Sequence, residues 1–113
     1  MKVIIAGSRS ITDSSAVDKA VVKSNFKITE VVCGTAKGVD QEGAFWAFFN
    51  NIPVKMFRPN WKAYGKGAGF LRNIEMGDYA DALVAIWDGK SKGTQHMINY
   101  MNKIGKPVYV SCS

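Results

Sequence analysis

Lys2-Val3-Ile4-Ile5-Ala6-Gly7-Ser8-Arg9 is the stretch that decides the fold. Lys2 to Ala6 is apolar without alternation, as in a strand covered on both faces of a parallel sheet. It breaks at once into Gly7-Ser8-Arg9, which reads as a turn opening a helix. The same pattern returns at Glu30–Cys33, followed by Gly34-Thr35-Ala36-Lys37-Gly38-Val39-Asp40. A parallel sheet collects all such turns at one edge, where helix N-termini offer free N–H groups and the positive end of the helix dipole. Two such turns side by side, each with a basic residue, predict a site for a phosphorylated ligand.

Working outward, three more Val- and Ile-rich runs follow: Pro53–Phe57, Ala82–Trp87 and Pro107–Ser111. Four helices are expected between the five runs. The first spans about Asp13 to Lys23, capped by Thr12 or Asp13. The second spans about Gly38 to Asn51, the third about Gly67 to Tyr79, and the fourth about Gly93 to Ile104. The last stops at Gly105-Lys106-Pro107, a helix-to-strand exit. Strand and helix alternate throughout, so the class is α/β with a sheet between helices. The 113 residues make one domain, and a hydrophobic content of 47% suffices for a core.

No window approaches roughly 18 uninterrupted apolar residues, so no membrane span is expected. No basic segment leads into a long apolar one at the N-terminus, so no signal peptide is expected. Cys33 and Cys112 form no CxxC motif, which leaves no disulfide or metal role and a cytoplasmic setting. The net charge is +6, and the part from Lys55 onward holds nine basic against four acidic residues. That excess favours an anionic partner, a nucleotide or a nucleic acid.

The second helix is apolar on two sides. Val39, Gly43, Trp46 and Asn50 share one side; Phe45, Phe48, Phe49 and Ile52 share the other. Only one side can meet a small sheet. Either the helix is deeply buried, or the phenylalanines form a self-association surface and the protein is a homo-oligomer.

Four segments carry residues suited to ligand chemistry. In Gly7-Ser8-Arg9, the serine adds a hydroxyl and the arginine a planar fork for phosphate. In Gly34-x-Ala36-x-Gly38-x-Asp40, small residues let a ligand approach the backbone, and Asp40 either caps the helix or accepts ribose hydroxyls. Between Trp61 and Asn73, Gly65, Gly67 and Gly69 alternate in a way that suits an anion-binding nest. There Trp61 and Tyr64 stand ready to stack on a base, and Arg72 projects from the next helix. In Asp88-Gly89-Lys90-Ser91-Lys92-Gly93-Thr94, Gly93 and Thr94 place N–H groups and a hydroxyl at a helix start. The spacing is not a Walker A motif. His96, the lone histidine, has no carboxylate placed beside it in sequence, and no catalytic triad or metal-ligand spacing is present. No cofactor or metal is called for.

Taken together, Gly7-Ser8-Arg9, Gly34-x-Ala36-x-Gly38-x-Asp40, Trp61-x-x-Tyr64-Gly65, Ala68-Gly69-x-x-Arg72-Asn73-x-x-Met76 and Gly93-Thr94 resemble the YspA/YpsA-related branch of the SLOG superfamily. The resemblance runs along nearly the whole chain. It implies a single Rossmann-like three-layer domain, with a mainly parallel five-stranded sheet flanked by about four helices, that binds a nucleotide or nucleotide-derived ligand. Two related groups imply different activities. The Lonely Guy phosphoribohydrolases use an arginine similar to Arg72 and a glutamate three residues after the Gly-Thr pair. That position is Met97 here, which neither stabilises a positive sugar nor handles a proton. An enzyme of this kind would need Asp40, Glu75, Asp88 or His96 instead. DprA is similar in its Gly-Ser-Arg and Gly-x-Ala-x-Gly-x-Asp motifs and binds single-stranded DNA, but no single-strand groove of alternating aromatics and lysines is present here. The leading expectation is a sensor, carrier or sequestering module. Its site would comprise Gly7, Ser8, Arg9, Gly34, Ala36, Gly38, Asp40, Trp61, Tyr64, Gly69, Arg72, Asn73, Gly93 and Thr94.

Overall fold

The computed structural model describes residues 1–35 and 38–112. Five strands, β1 (Lys2–Gly7), β2 (Glu30–Cys33), β3 (Val54–Met56), β4 (Ala82–Trp87) and β5 (Val108–Cys112), form one sheet. Its order is β3-β2-β1-β4-β5, and every pairing is parallel. The expected α/β architecture and its parallel sheet are therefore present. Four helices of 11 or 12 residues cover the sheet: α1 (Ser14–Ser24), α2 (Val39–Phe49), α4 (Ala68–Tyr79) and α5 (Lys92–Lys103). A single turn, α3 (Trp61–Tyr64), precedes α4.

The period of two along β1 divides the core. Val3 and Ile5 point to the face packed by Val17, Ala20 and Val21 of α1 and by Val39 and Ala47 of α2. Ile4 and Ala6 point to the face packed by Met76 of α4 and by Met97 and Met101 of α5. Because both faces are covered, the strand is continuously apolar rather than alternating. Each fully buried aliphatic side chain in these layers contributes roughly 1.5–3 kcal/mol.

The helix ends follow capping chemistry. Asp13 caps α1 by accepting from the Ser15 N–H at 2.9 Å, and Ser91 caps α5 by accepting from the Thr94 N–H at 3.4 Å. At the other end of α4, Lys106 Nζ donates to the carbonyls of Gly77 and Ala80, both at 2.7 Å. This is a cation on a helix C-terminus, where the dipole favours it. Lys106 is thus one of the basic residues that serve the fold.

The glycine-rich stretch before α4 differs from expectation. It was expected to form a nest. Instead Trp61–Tyr64 is helical, with Asn60 as its cap, and Gly65–Gly67 is a 3₁₀ turn running into α4. Asn60 supplies the N-cap acceptor that lets the chain coil here rather than stay extended. Gly69 then falls in the first turn of α4 and cannot belong to a loop.

Candidate functional site

The strand order runs one way from β1 through β2 and the other way from β4 through β5. The switch point thus lies between β1 and β4, where open α/β sheets hold their ligands beyond the strand C-termini. A cavity of about 740 Å³ occupies this position. Gly7, Arg9 and Ser10 reach it from the end of β1, and Asp88, Lys90 and Ser91 from the end of β4. Thr35 and Asp40 enter from the β2 side, and α4 supplies Gly69, Phe70, Arg72, Asn73 and Met76. Gly93, Thr94 and Met97 come from α5, while Pro59, Trp61 and Lys66 close the remaining side.

Of the residues expected at a site, Gly7, Arg9, Asp40, Trp61, Gly69, Arg72, Asn73, Gly93 and Thr94 line this cavity. Ser8, Gly34, Gly38 and Tyr64 do not. Ala36 lies outside the described residues.

Ser8 is buried and serves as a joint. Its N–H donates to the Ile86 carbonyl at 3.1 Å, and its carbonyl accepts from Ile11 at 3.2 Å and Val39 at 3.4 Å. Its hydroxyl accepts from the Asp88 N–H at 3.0 Å. It therefore ties the β1 turn to the β4 turn. The Asp88 carboxylate, in turn, accepts from the Lys90 N–H at 2.8 Å and the Ser91 N–H at 3.0 Å, bonds that hold it below the usual carboxylate range.

Gly34 and Gly38 make room for protein rather than ligand. A side chain at Gly34 would collide with the Arg72 guanidinium, whose Cζ would lie 2.9 Å away, and with the Asp40 carboxylate at 2.8 Å. At Gly38 the backbone has φ +79°, and a side chain there would lie 2.5 Å from the Arg9 carbonyl oxygen. The Gly34–Asp40 motif thus reads as a slot for Arg72 and a tight crossing over the β1 turn.

Arg72 is the centre of the site. Its Nε donates to Asn73 Oδ1 at 3.2 Å. Its Nη1 is buried and finds no acceptor among the described residues. Burial pulls the guanidinium below its ordinary pKa; Asp40 opposes that shift and Arg9 adds to it. Next to it, burial, reinforced by Asp40, pushes the Cys33 thiol up to about 12. Cys33 therefore stays a thiol and offers no nucleophile at neutral pH.

Asn73 is committed within the protein. Its Nδ2 donates to the Gly93 carbonyl at 3.1 Å and lies 3.2 Å from His96 Nδ1. Three contacts thus orient one amide, and His96 must accept at Nδ1, which requires the neutral ring. Burial keeps its pKa below the ordinary histidine value, in the same direction. Phe70 packs on the His96 ring with centroids 4.6 Å apart. Thr94 is likewise engaged, its hydroxyl bonded to Ser91 Oγ at 3.1 Å.

Several wall residues were not singled out from sequence. Lys66, Phe70, Lys90 and Ser91 lie inside segments that drew notice, but nothing in the pattern showed that they face inward; Asp88 was named only as a replacement acid or base. Ser10, Thr35 and Pro59 carried no signal. Met76 did carry one: it follows Gly69 and Arg72 at helical spacing and so shares their face.

An all-parallel sheet in the order 3-2-1-4-5 with a switch-point cavity defines a Rossmann-like three-layer class. Residues 1–64 match the YspA, cpYpsA-related SLOG family, and the chain belongs to that family. It is 37% identical over 118 residues to Gene 61 protein of Mycobacterium phage D29, with 95% of this chain and 93% of that protein covered. No solved structure matches the chain. The family match ends at Tyr64, so the α4 and α5 contributions to the cavity rest on the structure and on the sequence motifs.

Proposed function

We propose that the chain acts as one domain that binds a phosphorylated, nucleotide-derived ligand in the switch-point cavity. Family membership supports a nucleotide-related ligand at a coarse level. The observation that carries the reading is the pairing of Arg72 with Arg9 in one cavity. Arg72 is half-buried and keeps one nitrogen without an acceptor among the described residues; Asp40 supports its charge, and Arg9 acts against it. A buried charged donor left unpaired costs on the order of 1–3 kcal/mol or more, so an arrangement that keeps one suits an incoming anion. Lys66 and Lys90 add two further cations against the carboxylates of Asp40 and Asp88.

In this reading Arg9 holds phosphate at the mouth and Arg72 at the wall. Trp61 and Phe70 offer the aromatic surface for a base. Asn73 positions Arg72 rather than touching the sugar. Met97, at the position of the phosphoribohydrolases' glutamate, lies buried in the cavity wall. That supports binding over hydrolysis and suits a sensor, carrier or sequestering role in the cytoplasm.

Titration calorimetry with AMP, ADP, ADP-ribose and plain adenosine tests the proposal. The phosphorylated compounds should bind and adenosine should not, and Arg9→Ala should weaken binding by at least tenfold. Absence of heat with every compound, or an Arg9→Ala protein indistinguishable from wild type, overturns it.

A further inference from the structure

The α1/α2 face carries a second feature, away from the cavity. Val39, Gly43 and Ala47 hold α2 on the sheet, and Gly43 sits so close that a side chain there would lie 2.8 Å from Ile5 Cγ2. That contact leaves α2 no freedom to roll. Phe45, Phe48 and Phe49 are therefore locked outward, at 48%, 74% and 78% exposure. Phe48 and Phe49 meet edge to face, with centroids 5.7 Å apart. Beside them a groove of about 430 Å³ runs between α1 and α2, walled by Phe45, Trp46 and Phe49. Trp46 is pinned there by its Nε1–H bond to Asp18 at 3.1 Å. On α1, Val22 is also 67% exposed.

We infer that this face pairs two copies of the chain about a two-fold axis, with Phe48 of each copy seated in the α1/α2 groove of the other. The area fits a pair. The three rings leave the equivalent of about two whole phenylalanines in water, roughly 400 Å² at about 200 Å² each. Val22 brings the apolar surface to roughly 500 Å². Interfaces are about 60% apolar, so this corresponds to roughly 800 Å² per copy and about 1,600 Å² in all, the size of an ordinary stable interface.

The charge argues against other occupants. Asp18 and Glu42 flank the groove, and α2 contains no basic residue. In a chain of net charge +6, these two carboxylates make the groove ill suited to nucleic acid or an anionic lipid surface. A second copy suits it. The helices return antiparallel to parallel strands and so run parallel to each other within a copy. A two-fold axis across the patch sets the rings of each copy against the groove of the other, a self-complementary contact that closes at two.

Sedimentation equilibrium on the full chain tests the inference. Wild type should sediment near 25 kDa, twice the 12.4 kDa chain mass. Phe48→Glu and Phe49→Glu, each at an exposed position, should raise the dimer dissociation constant at least a hundredfold with unchanged far-UV circular dichroism. A wild-type monomer at the highest soluble concentration overturns the pairing. A dimer undisturbed by both variants overturns it too, as does binding of the wild-type monomer to anionic vesicles through these rings. None of these outcomes depends on nucleotide binding.

Discussion

The Gly34–Asp40 loop and the Gly65–Gly69 segment look alike as sequence: small, glycine-punctuated and placed before a helix. They are opposites in the structure. At Gly34 and Gly38 the missing side chains are replaced by other parts of the protein: the Arg72 guanidinium, the Asp40 carboxylate and the carbonyls of Ser8 and Arg9. At Gly65 and Gly67 an added methyl group would meet nothing within 4 Å, and at Gly69 only the Trp61 ring at 3.8 Å. Gly34 and Gly38 are required by close approach; in the other set Gly65 is required by its φ of +54° alone, and Gly67 and Gly69 by neither. A glycine-rich motif is thus two different signals, and only the neighbours tell them apart.

The largest effect should come from Gly38→Ala. The backbone there lies in a region that L side chains rarely adopt, and the atoms in the way are backbone carbonyls that cannot swing aside. Strain and overpacking together should cost about 3 kcal/mol. Urea denaturation should show the midpoint fall accordingly. A midpoint close to wild type would remove the contrast between the two loops.

Gly34→Ala should behave differently. The obstructing atoms are the ends of two side chains, which can shift, so stability should fall by less than about 1.5 kcal/mol. The displaced guanidinium should nonetheless lose its place in the cavity, weakening phosphorylated-ligand binding at least tenfold. Calorimetry on the variant separates the two effects. Large unfolding with intact affinity would show that Gly34 serves the core and not Arg72.

Gly67→Ala should have the smallest effect, and in the favourable direction. Gly67 has φ −81° and ψ −7°, which alanine adopts without strain, and no atom among the described residues stands where the methyl group would go. Restricting the unfolded chain should stabilise the protein by roughly 0.4–1 kcal/mol. A thermal melt that moves downward would mean that this segment has a neighbour not seen here, such as a bound ligand.

Much of the fold was legible in the residues themselves. The Lys2–Ala6, Glu30–Cys33 and Ala82–Trp87 runs are strands because a doubly covered parallel strand must be apolar at successive positions. Helix starts at Asp13 and Ser91 follow from side chains that satisfy the first free N–H groups. The start of α5 came one residue earlier than the Gly-Thr pair implied, since Ser91 is the better cap. What misled was composition without context: alternating glycines suggested a nest, and Asn60 instead nucleated a helical turn.

The sequence by itself determined the strand and helix alternation, the parallel sheet and the edge where the glycine turns gather, and it left two readings of the α2 phenylalanines. Those are consequences of local periodicity, capping and the limited number of faces one sheet can cover. Only the tertiary structure decided that Gly34 is a slot for Arg72, 38 positions later in the chain, that Ser8 braces Asp88, and that Asn73 and His96 aim Arg72 into the cavity. Each of these joins elements far apart in the chain. Their meeting depends on the strand order 3-2-1-4-5 and on the roll of each helix about its axis, which packing sets and no local pattern encodes.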